Sequence, residues 1–210
     1  MQRDIAILEE VGLLTDRTVL VHCAHLHDCE AKRMAERGTS IASCPYSNML
    51  FARAALPVNR FREMGVKIGL GTDIAGGHSA SMVDSLRMAG LVSRIHGFQP
   101  PKDRTDDPVD LPVSESPDDE EVVDWKTAFY MGTRGGATAL GLRSVGAFEV
   151  GMKWDALEVD LTWDEDDVEI GMDGDGEDVE MKLERWICGH GGEGDVRNVW
   201  VDGKLVLERD

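Results

Sequence analysis

Two polar residues in the first half of the chain follow short apolar runs of the kind that form buried strands. His22 ends the run 18–22, and Asp73 comes just after the run 66–71. In a parallel α/β barrel, catalytic groups lie at the carboxyl ends of the strands. A carboxylate there binds zinc or takes a proton from its bound water, and a neutral imidazole orients that water or polarises a substrate oxygen. We therefore expect His22 and Asp73 to face one another across a shared pocket, at the ends of adjacent parallel strands.

A second group of metal-binding residue types, His25, His27 and Cys29, lies close to His22 in the sequence. No fourth ligand is spaced to complete a tetrahedron around them, so we expect structural or solvent-facing roles, with a weak adventitious metal site as the alternative. A single histidine at the end of a strand is also more commonly structural than catalytic. Position alone therefore leaves the role of His22 open.

The elements that would position these residues alternate between strand and helix patterns. Strands are predicted at 18–22, 39–43 and 66–71, and helices at 4–11, 28–37, 57–64 and 81–95. Units of this length in succession favour a parallel sheet covered by helices. One further helix is predicted from residue 124 to residue 140, with Asp124 as its N-cap.

The chain changes character after residue 97. Residues 98–123 are acidic and rich in proline, which predicts a surface insertion or a linker. From residue 146 onward, short runs alternate apolar and polar residues, and Asp202 with Gly203 is a strong signal for a two-residue hairpin turn. We therefore predict a partial α/β domain at 1–145 and a small β domain at 146–210.

The composition argues against several functions. The chain has 22 Lys plus Arg and 40 Asp plus Glu, a net charge of −18, which would repel a phosphate backbone, so no nucleic acid partner is expected. We interpret the acidic runs 103–124 and 155–184 as solvated loops, with adaptation to high salt as the alternative. The sequence has no 18-residue apolar run, no apolar signal-peptide core and no CxxC pair among its four cysteines. We expect no membrane association and a cytoplasmic location.

Three motifs, in their order and spacing, resemble the last three barrel strands of guanine deaminases and related amidohydrolases. They are Val-His-Cys-Ala-His-Leu at 21–26, Cys-Pro-Tyr-Ser-Asn at 44–48 and Gly-Leu-Gly-Thr-Asp-Ile-Ala-Gly-Gly at 69–77. The similarity continues through 135–142 and 145–156. It implies an α/β fold that is the C-terminal part of a TIM-like (β/α)8 barrel, about strands 6–8, with part of a small β-sandwich domain.

The same resemblance implies a function and a role for three residues. The expected reaction is zinc-dependent hydrolytic deamination of guanine to xanthine and ammonia, part of purine catabolism. Asp73 corresponds to an aspartate that binds zinc and handles the proton of the attacking water. His22 corresponds to a histidine that lies over the substrate, and Asn48 is a candidate for binding the substrate by shaping the pocket.

The chain also departs from the family pattern. The His-x-His of the first strand and the His-x-x-Glu of the fifth strand are not found at the expected places, and Ser43 replaces a common histidine before Cys-Pro. Asp73 is then the sole expected zinc ligand. We expect a fragment that is inactive alone and that forms a homo-oligomer or binds a missing N-terminal half. A truncated product, half of a split gene and a degenerate remnant all remain open.

Two other functions remain as alternatives to guanine deamination. One is an amidohydrolase that acts on another heterocyclic amine, such as a triazine, a pterin or an adenosine-type ring. The other is a catalytically inactive remnant or assembly partner, which the unmatched zinc ligands support directly.

Overall fold

The structure is a computed structural model of the 210-residue chain, and it describes residues 4–97, 122–161, 178–189 and 191–209. Nearly all of the predicted insertion at 98–123 lies outside these residues. The chain divides into two units, Met1–Arg143 and Ser144–Asp210, which are described separately.

The first unit contains a parallel sheet of three strands. These are β1 (Val19–Val21), β2 (Ser40–Ser43) and β3 (Lys67–Leu70), in the order β1-β2-β3. Ile41 of β2 lies between Leu20 and Ile68 in the register of the sheet and is fully buried. The three predicted strands are confirmed, each slightly shorter than its apolar run.

Seven helices of the first unit are described. They are α1 (Asp4–Glu10), α2 (Asp28–Arg37), α3 (Pro45–Ser47), α4 (Val58–Glu63), α5 (Met82–Gly97), α6 (Trp125–Gly132) and α7 (Arg134–Ala139). Helix α2 ends where its sequence predicts, because Gly38 adopts a left-handed conformation with φ 73° and its N–H donates to the last turn. Within the described part of the chain, every helix is too short or too polar to cross a membrane.

The predicted single helix from 124 to 140 is wrong in one respect, since two helices occupy this stretch. Asp124 caps α6 as expected, and its Oδ1 accepts a hydrogen bond from the N–H of Thr127 at 2.7 Å. The helix breaks at Thr133, which has φ −125° and ψ −102°. The change of direction lets α7 approach β3 so closely that a Cβ on Gly69 would lie 3.0 Å from Cα of Gly136. Packing on the sheet therefore overrides the local helical pattern.

The second unit contains an antiparallel sheet. Its strands are β4 (Ala156–Val159), β5 (Val196–Val201) and β6 (Lys204–Glu208), in that order. The turn between β5 and β6 has positive φ at Asp202 and Gly203, as the sequence predicts for a two-residue hairpin.

A helix in this unit, α8 (Val179–Cys188), contradicts the interpretation of the acidic run 155–184 as solvated loop at the C-terminal end of that run. Leu183, Trp186 and Ile187 have helical spacing, and the last two are buried. The indole N–H of Trp186 also donates to Oδ2 of Asp195 at 3.0 Å. Because acidic residues precede this short apolar face, its helical spacing is difficult to recognise in the sequence.

Candidate functional site

His22 directly follows β1, and its backbone is hydrogen-bonded to the neighbouring strand β2. Its backbone N–H donates to the carbonyl of Ala42 at 3.0 Å, which extends the pairing of β1 with β2 by one residue. Its φ is 70°, and the next residue, Cys23, has φ 56°. Such left-handed conformations cost about 1–3 kcal/mol for residues with a side chain and persist where the surroundings enforce them. The chain therefore turns sharply at His22.

Asp73 occupies the corresponding place after β3. The N–H of Gly71 donates to the carbonyl of Ser43 at 2.8 Å, and Asp73 itself has φ 52°. The loop that follows folds back on Asp73, because the N–H of Gly77 donates to its carbonyl. A Cβ on Gly77 would lie 1.9 Å from the carbonyl oxygen of Thr72, so this loop needs a glycine at that position.

The structure brings the two predicted residues together. Nε2 of His22 lies 4.0 Å from Oδ2 of Asp73, and the two side chains are 45% and 31% exposed. This separation is too long for a direct hydrogen bond. The prediction that their strands are adjacent is wrong, because β2 lies between β1 and β3. Two strands with one strand between them lie about 9–10 Å apart, and the side chains of His22 and Asp73 extend across most of this distance.

A cavity of about 610 Å³ lies elsewhere in this unit, near the start of β3. Among its lining residues are Arg62, Lys67, Tyr130 and Thr138, and it includes neither His22 nor Asp73. Its volume therefore says nothing about the chemistry at the carboxyl edge of the sheet. The pair of His22 and Asp73 is identified by the contact between its side chains.

Asn48 joins this pair through His22. Its Oδ1 lies 2.8 Å from Nδ1 of His22, and the residue is 1% exposed. Asn48 starts a π-helical turn, Asn48–Ala52, that follows α3. Its N–H donates to the carbonyl of Cys44 at 2.9 Å. All three residues predicted for the site therefore lie in one chain of contacts.

Left-handed backbone conformations concentrate at this edge of the sheet. Among the described residues other than glycine, positive φ occurs at His22, Cys23, Arg53, Asp73 and Asp202. His22 and Cys23 follow β1, Asp73 follows β3, Arg53 ends the π-helical turn and Asp202 lies in the hairpin turn. Strained residues of this kind tend to gather at functional sites, which agrees with the positions of His22 and Asp73.

Two features of the surroundings of His22 and Asp73 were not predicted from the sequence. The first is the environment of two cysteine thiols. Burial raises the pKa of the Cys44 thiol to about 11, and the charge of Asp73 adds to the effect. Burial and the charge of Glu30 raise the pKa of Cys23 to about 12. Both thiols are therefore protonated at neutral pH and are poor nucleophiles. The cysteines stand inside two of the motifs, but their burial is not visible there.

The second feature is a contact between the segments that follow β2 and β3. The rings of Tyr46 and His78 lie 4.2 Å apart between centroids. Both residues occur in or beside the motifs, at 44–48 and 69–77, yet nothing in their spacing indicates that they touch. This contact links the segment that carries Asn48 to the loop after Asp73.

The described residues do not complete a zinc site. Catalytic zinc has about three protein ligands, and Asp73 supplies one carboxylate. No group of three or more His, Cys, Asp and Glu side chains suited to a metal occurs among the residues that the structure describes. His27 precedes α2, where its backbone N–H donates to Oε2 of Glu30 at 2.9 Å. The part of the chain that the structure describes therefore does not fit a complete metal centre.

The chain is similar in sequence and in structure to known deaminases. Guanine deaminase of Mus musculus is 34% identical over 202 residues, which cover 96% of this chain and 41% of the relative. The solved E. coli guanine deaminase is 26% identical with a TM-score of 0.74, over 97% of this chain and 42% of that one. The adenosine deaminase of Xanthomonas campestris, solved with bound zinc, is also 26% identical with a TM-score of 0.74, over 99% and 40%.

These matches establish both the extent of the similarity and the family. The chain spans about two fifths of the length of the relatives it matches. The profile of the amidohydrolase family matches residues 5–206, which is nearly the whole chain and includes His22, Asn48 and Asp73. On this evidence the chain belongs to the amidohydrolase family.

Proposed function

We propose that this chain supplies part of the active site of a zinc-dependent deaminase that converts guanine and water to xanthine and ammonia. The observation that carries the proposal is the approach of His22 and Asp73 to 4.0 Å at the carboxyl edge of a parallel sheet. Amidohydrolases with the barrel fold place their catalytic groups at this edge. The relatives named guanine deaminase support the choice of reaction.

The two side chains have complementary roles in this proposal. The carboxylate of Asp73 accepts a proton from the attacking water and is a metal ligand in the completed site. The imidazole of His22 contacts the substrate and the attacking water through Nε2. Positioned acid–base groups of this kind contribute about 10²–10⁴-fold to a rate. The exposure of both side chains leaves them accessible to a substrate and to further protein groups.

The proposal needs residues outside this chain to complete the site. We propose that β1, β2 and β3 are about strands 6–8 of an eight-stranded barrel, within a domain at 1–145 that carries the insertion at 98–123. The second domain, at 146–210, would be part of a small β-sandwich. The remaining zinc ligands would come from the other strands of the barrel, on the same polypeptide or on a partner.

The substrate class follows from the relatives and from the charge. The E. coli guanine deaminase and the Xanthomonas campestris adenosine deaminase are equally similar in fold, so the fold does not choose between their substrates. The sequence similarity to the mouse guanine deaminase favours guanine. The net charge of −18 favours a small purine over a nucleic acid. Adenosine is the second candidate.

The test uses the protein as its own cells make it. An affinity tag at the C terminus would allow purification of the polypeptide that carries these residues, together with any partner. We expect xanthine and ammonia to form from guanine, and Asp73→Asn and His22→Gln to lower kcat by about 100-fold or more. Asp202→Asn, in the exposed hairpin turn, is the matched control and should keep full activity.

Three results would contradict the proposal. Consumption of adenosine in place of guanine would identify the second candidate substrate. Unchanged rates in Asp73→Asn would remove that residue from the reaction. Absence of deamination from both substrates would favour the inactive remnant or assembly partner.

A further inference from the structure

We infer that Asn48 is a positioning residue that holds His22 in the tautomer with the proton on Nδ1. An amide oxygen accepts hydrogen bonds and cannot donate them. Oδ1 of Asn48 lies 2.8 Å from Nδ1 of His22, and a hydrogen bond at this distance requires the proton on Nδ1. In the neutral ring, Nε2 is then the acceptor, and it is this atom that faces Asp73 at 4.0 Å.

The backbone around Asn48 is well suited to a fixed orientation. The N–H of Asn48 donates to the carbonyl of Cys44, and its own carbonyl accepts from the N–H of Arg53 at the end of the π-helical turn. Both backbone groups are therefore held. Single-turn π-helices inside proteins frequently occur at functional sites. His22 is held in turn by its N–H bond to Ala42.

The burial of Asn48 favours a positioning role for this residue over direct contact with the substrate. The residue is 1% exposed, so its side chain is covered by other groups, whereas the side chains of His22 and Asp73 are accessible. This differs from the expectation that Asn48 binds the substrate. Its influence on a reaction would pass through the imidazole.

The other end of the same amide makes no hydrogen bond with the described part of the chain that would account for an amide at this position. Nδ2 of Asn48 is buried and has no hydrogen-bond partner among the described residues. A buried donor without a partner costs about 1–3 kcal/mol. Leucine would avoid that cost but would offer nothing to Nδ1 of His22. The bond from the imidazole is thus the contribution specific to an amide at this position.

The consequence for catalysis rests on the proposed function, whereas the tautomer itself does not. An imidazole with its proton on Nδ1 presents a lone pair on Nε2 to water or to a donor group of a substrate. The other tautomer would present an N–H at that place. Asn48 therefore determines whether His22 acts as an acceptor or a donor towards the region it shares with Asp73.

The experiment measures the tautomer directly. The chain is labelled with ¹⁵N-histidine and studied by magic-angle-spinning NMR, which does not require a monomer, at pH about 8.5, above the ordinary histidine pKa of about 6.5. The His22 signals are identified by their loss in His22→Gln. We expect a protonated Nδ1 and an unprotonated Nε2 in the unmodified chain.

Two variants at position 48 test the cause. Asn48→Leu removes the acceptor, so His22 should revert to the Nε2–H tautomer that free imidazole side chains favour. Asn48→Asp keeps an oxygen in reach and should retain the Nδ1–H tautomer. A protonated Nε2 in the unmodified chain would overturn the inference, and this measurement needs no variant to fold. An unchanged tautomer in Asn48→Leu would also overturn it.

The tagged enzyme provides an independent reading of the catalytic consequence. There we expect Asn48→Leu to lower kcat for guanine by about 10–100-fold with little change in KM, and Asn48→Asp to restore most of the loss. A rise in KM with kcat unchanged would indicate substrate contact and overturn the positioning role. Because the NMR measurement needs no activity, failure of the proposed deamination and failure of this inference are distinguishable.

Discussion

The imidazole of His22 and the carboxylate of Asp73 approach to 4.0 Å across the end of β2, a strand to which neither residue belongs. Both follow parallel strands whose carboxyl ends lie at one edge, and both adopt left-handed backbone conformations there. The two side chains are partly exposed, and 4.0 Å is too long for a direct hydrogen bond between them. A contact of this kind contributes little to the stability of the fold, in contrast to the packing of the sheet that positions both residues.

The first prediction distinguishes a functional role of Asp73 from a structural one. Asp73→Asn should change the free energy of unfolding by less than about 1 kcal/mol, because the partly exposed carboxylate has no direct hydrogen bond to His22 and substitutions at such positions usually have small effects. Ile41→Ala, which removes a fully buried side chain from the middle of the sheet, should cost about 2–5 kcal/mol. Urea unfolding followed by tryptophan fluorescence measures both. A loss in Asp73→Asn as large as that in Ile41→Ala would indicate a structural aspartate.

The second prediction concerns zinc. The 210-residue chain, dialysed against zinc and then against buffer, should retain well below one zinc per chain, because the described residues contain no group of three ligands. Elemental analysis by mass spectrometry measures the metal content. Retention of one zinc per chain that disappears in Asp73→Asn, but not in Asp202→Asn, would contradict this expectation.

The third prediction concerns the start of α6 and its dependence on pH. Burial alone would raise the pKa of Asp124, but the hydrogen bonds from Thr127 and the charges of Lys126 and Arg62 lower it below its usual value. A carboxyl group with a lowered pKa in the folded state stabilises the protein above its unfolded pKa of about 3.9. That contribution is lost as the pH falls through the folded pKa.

Asp124→Ala should therefore cost about 0.5–2 kcal/mol at pH 7, and the difference from the unmodified chain should shrink below pH about 3.9. Asp124→Asn is the control, since asparagine caps helices equally well without the charge. Unfolding by urea at several pH values checks both variants. A cost in Asp124→Ala that is constant down to pH about 2 would show that the ionised carboxylate contributes nothing.

The fourth prediction is that the chain associates through the outer edge of β1. The N–H of Ser40 donates to the carbonyl of Thr18, and that of His22 donates to Ala42. Backbone groups alternate in direction along a strand, so those of Val19 and Val21 face away from β2. No strand covers that edge among the described residues. Open edges of apolar strands pair with other chains.

Light scattering should therefore give a mass above the 23.1 kDa of one chain. Val19→Pro removes an N–H from the outer edge alone and should lower the observed mass. Leu20→Pro removes an N–H that faces β2 and should unfold the sheet, which makes it the matched control. A monodisperse monomer with one cooperative, high-temperature unfolding transition would mean that the described sheet needs no further strands.

The sequence by itself determined the elements whose cause is local. The apolar runs predicted β1, β2 and β3 because such residues suit strands that are covered on both faces. Gly38 ends α2 and Asp124 begins α6 through hydrogen bonds with residues only a few positions away. The turn at Asp202 and Gly203 likewise depends on the conformations that those two residues allow.

Tertiary packing decided what depends on residues distant in the chain. The order β1-β2-β3 placed β2 between the strands that carry His22 and Asp73, and the approach of α7 to β3 accompanied the break of the predicted helix at Thr133. The contact of His22 with Asn48 joins residues 26 positions apart. Local propensity carries no information about such distances. The motifs placed the site residues in sequence, and the packing of strands and turns determined which atoms meet.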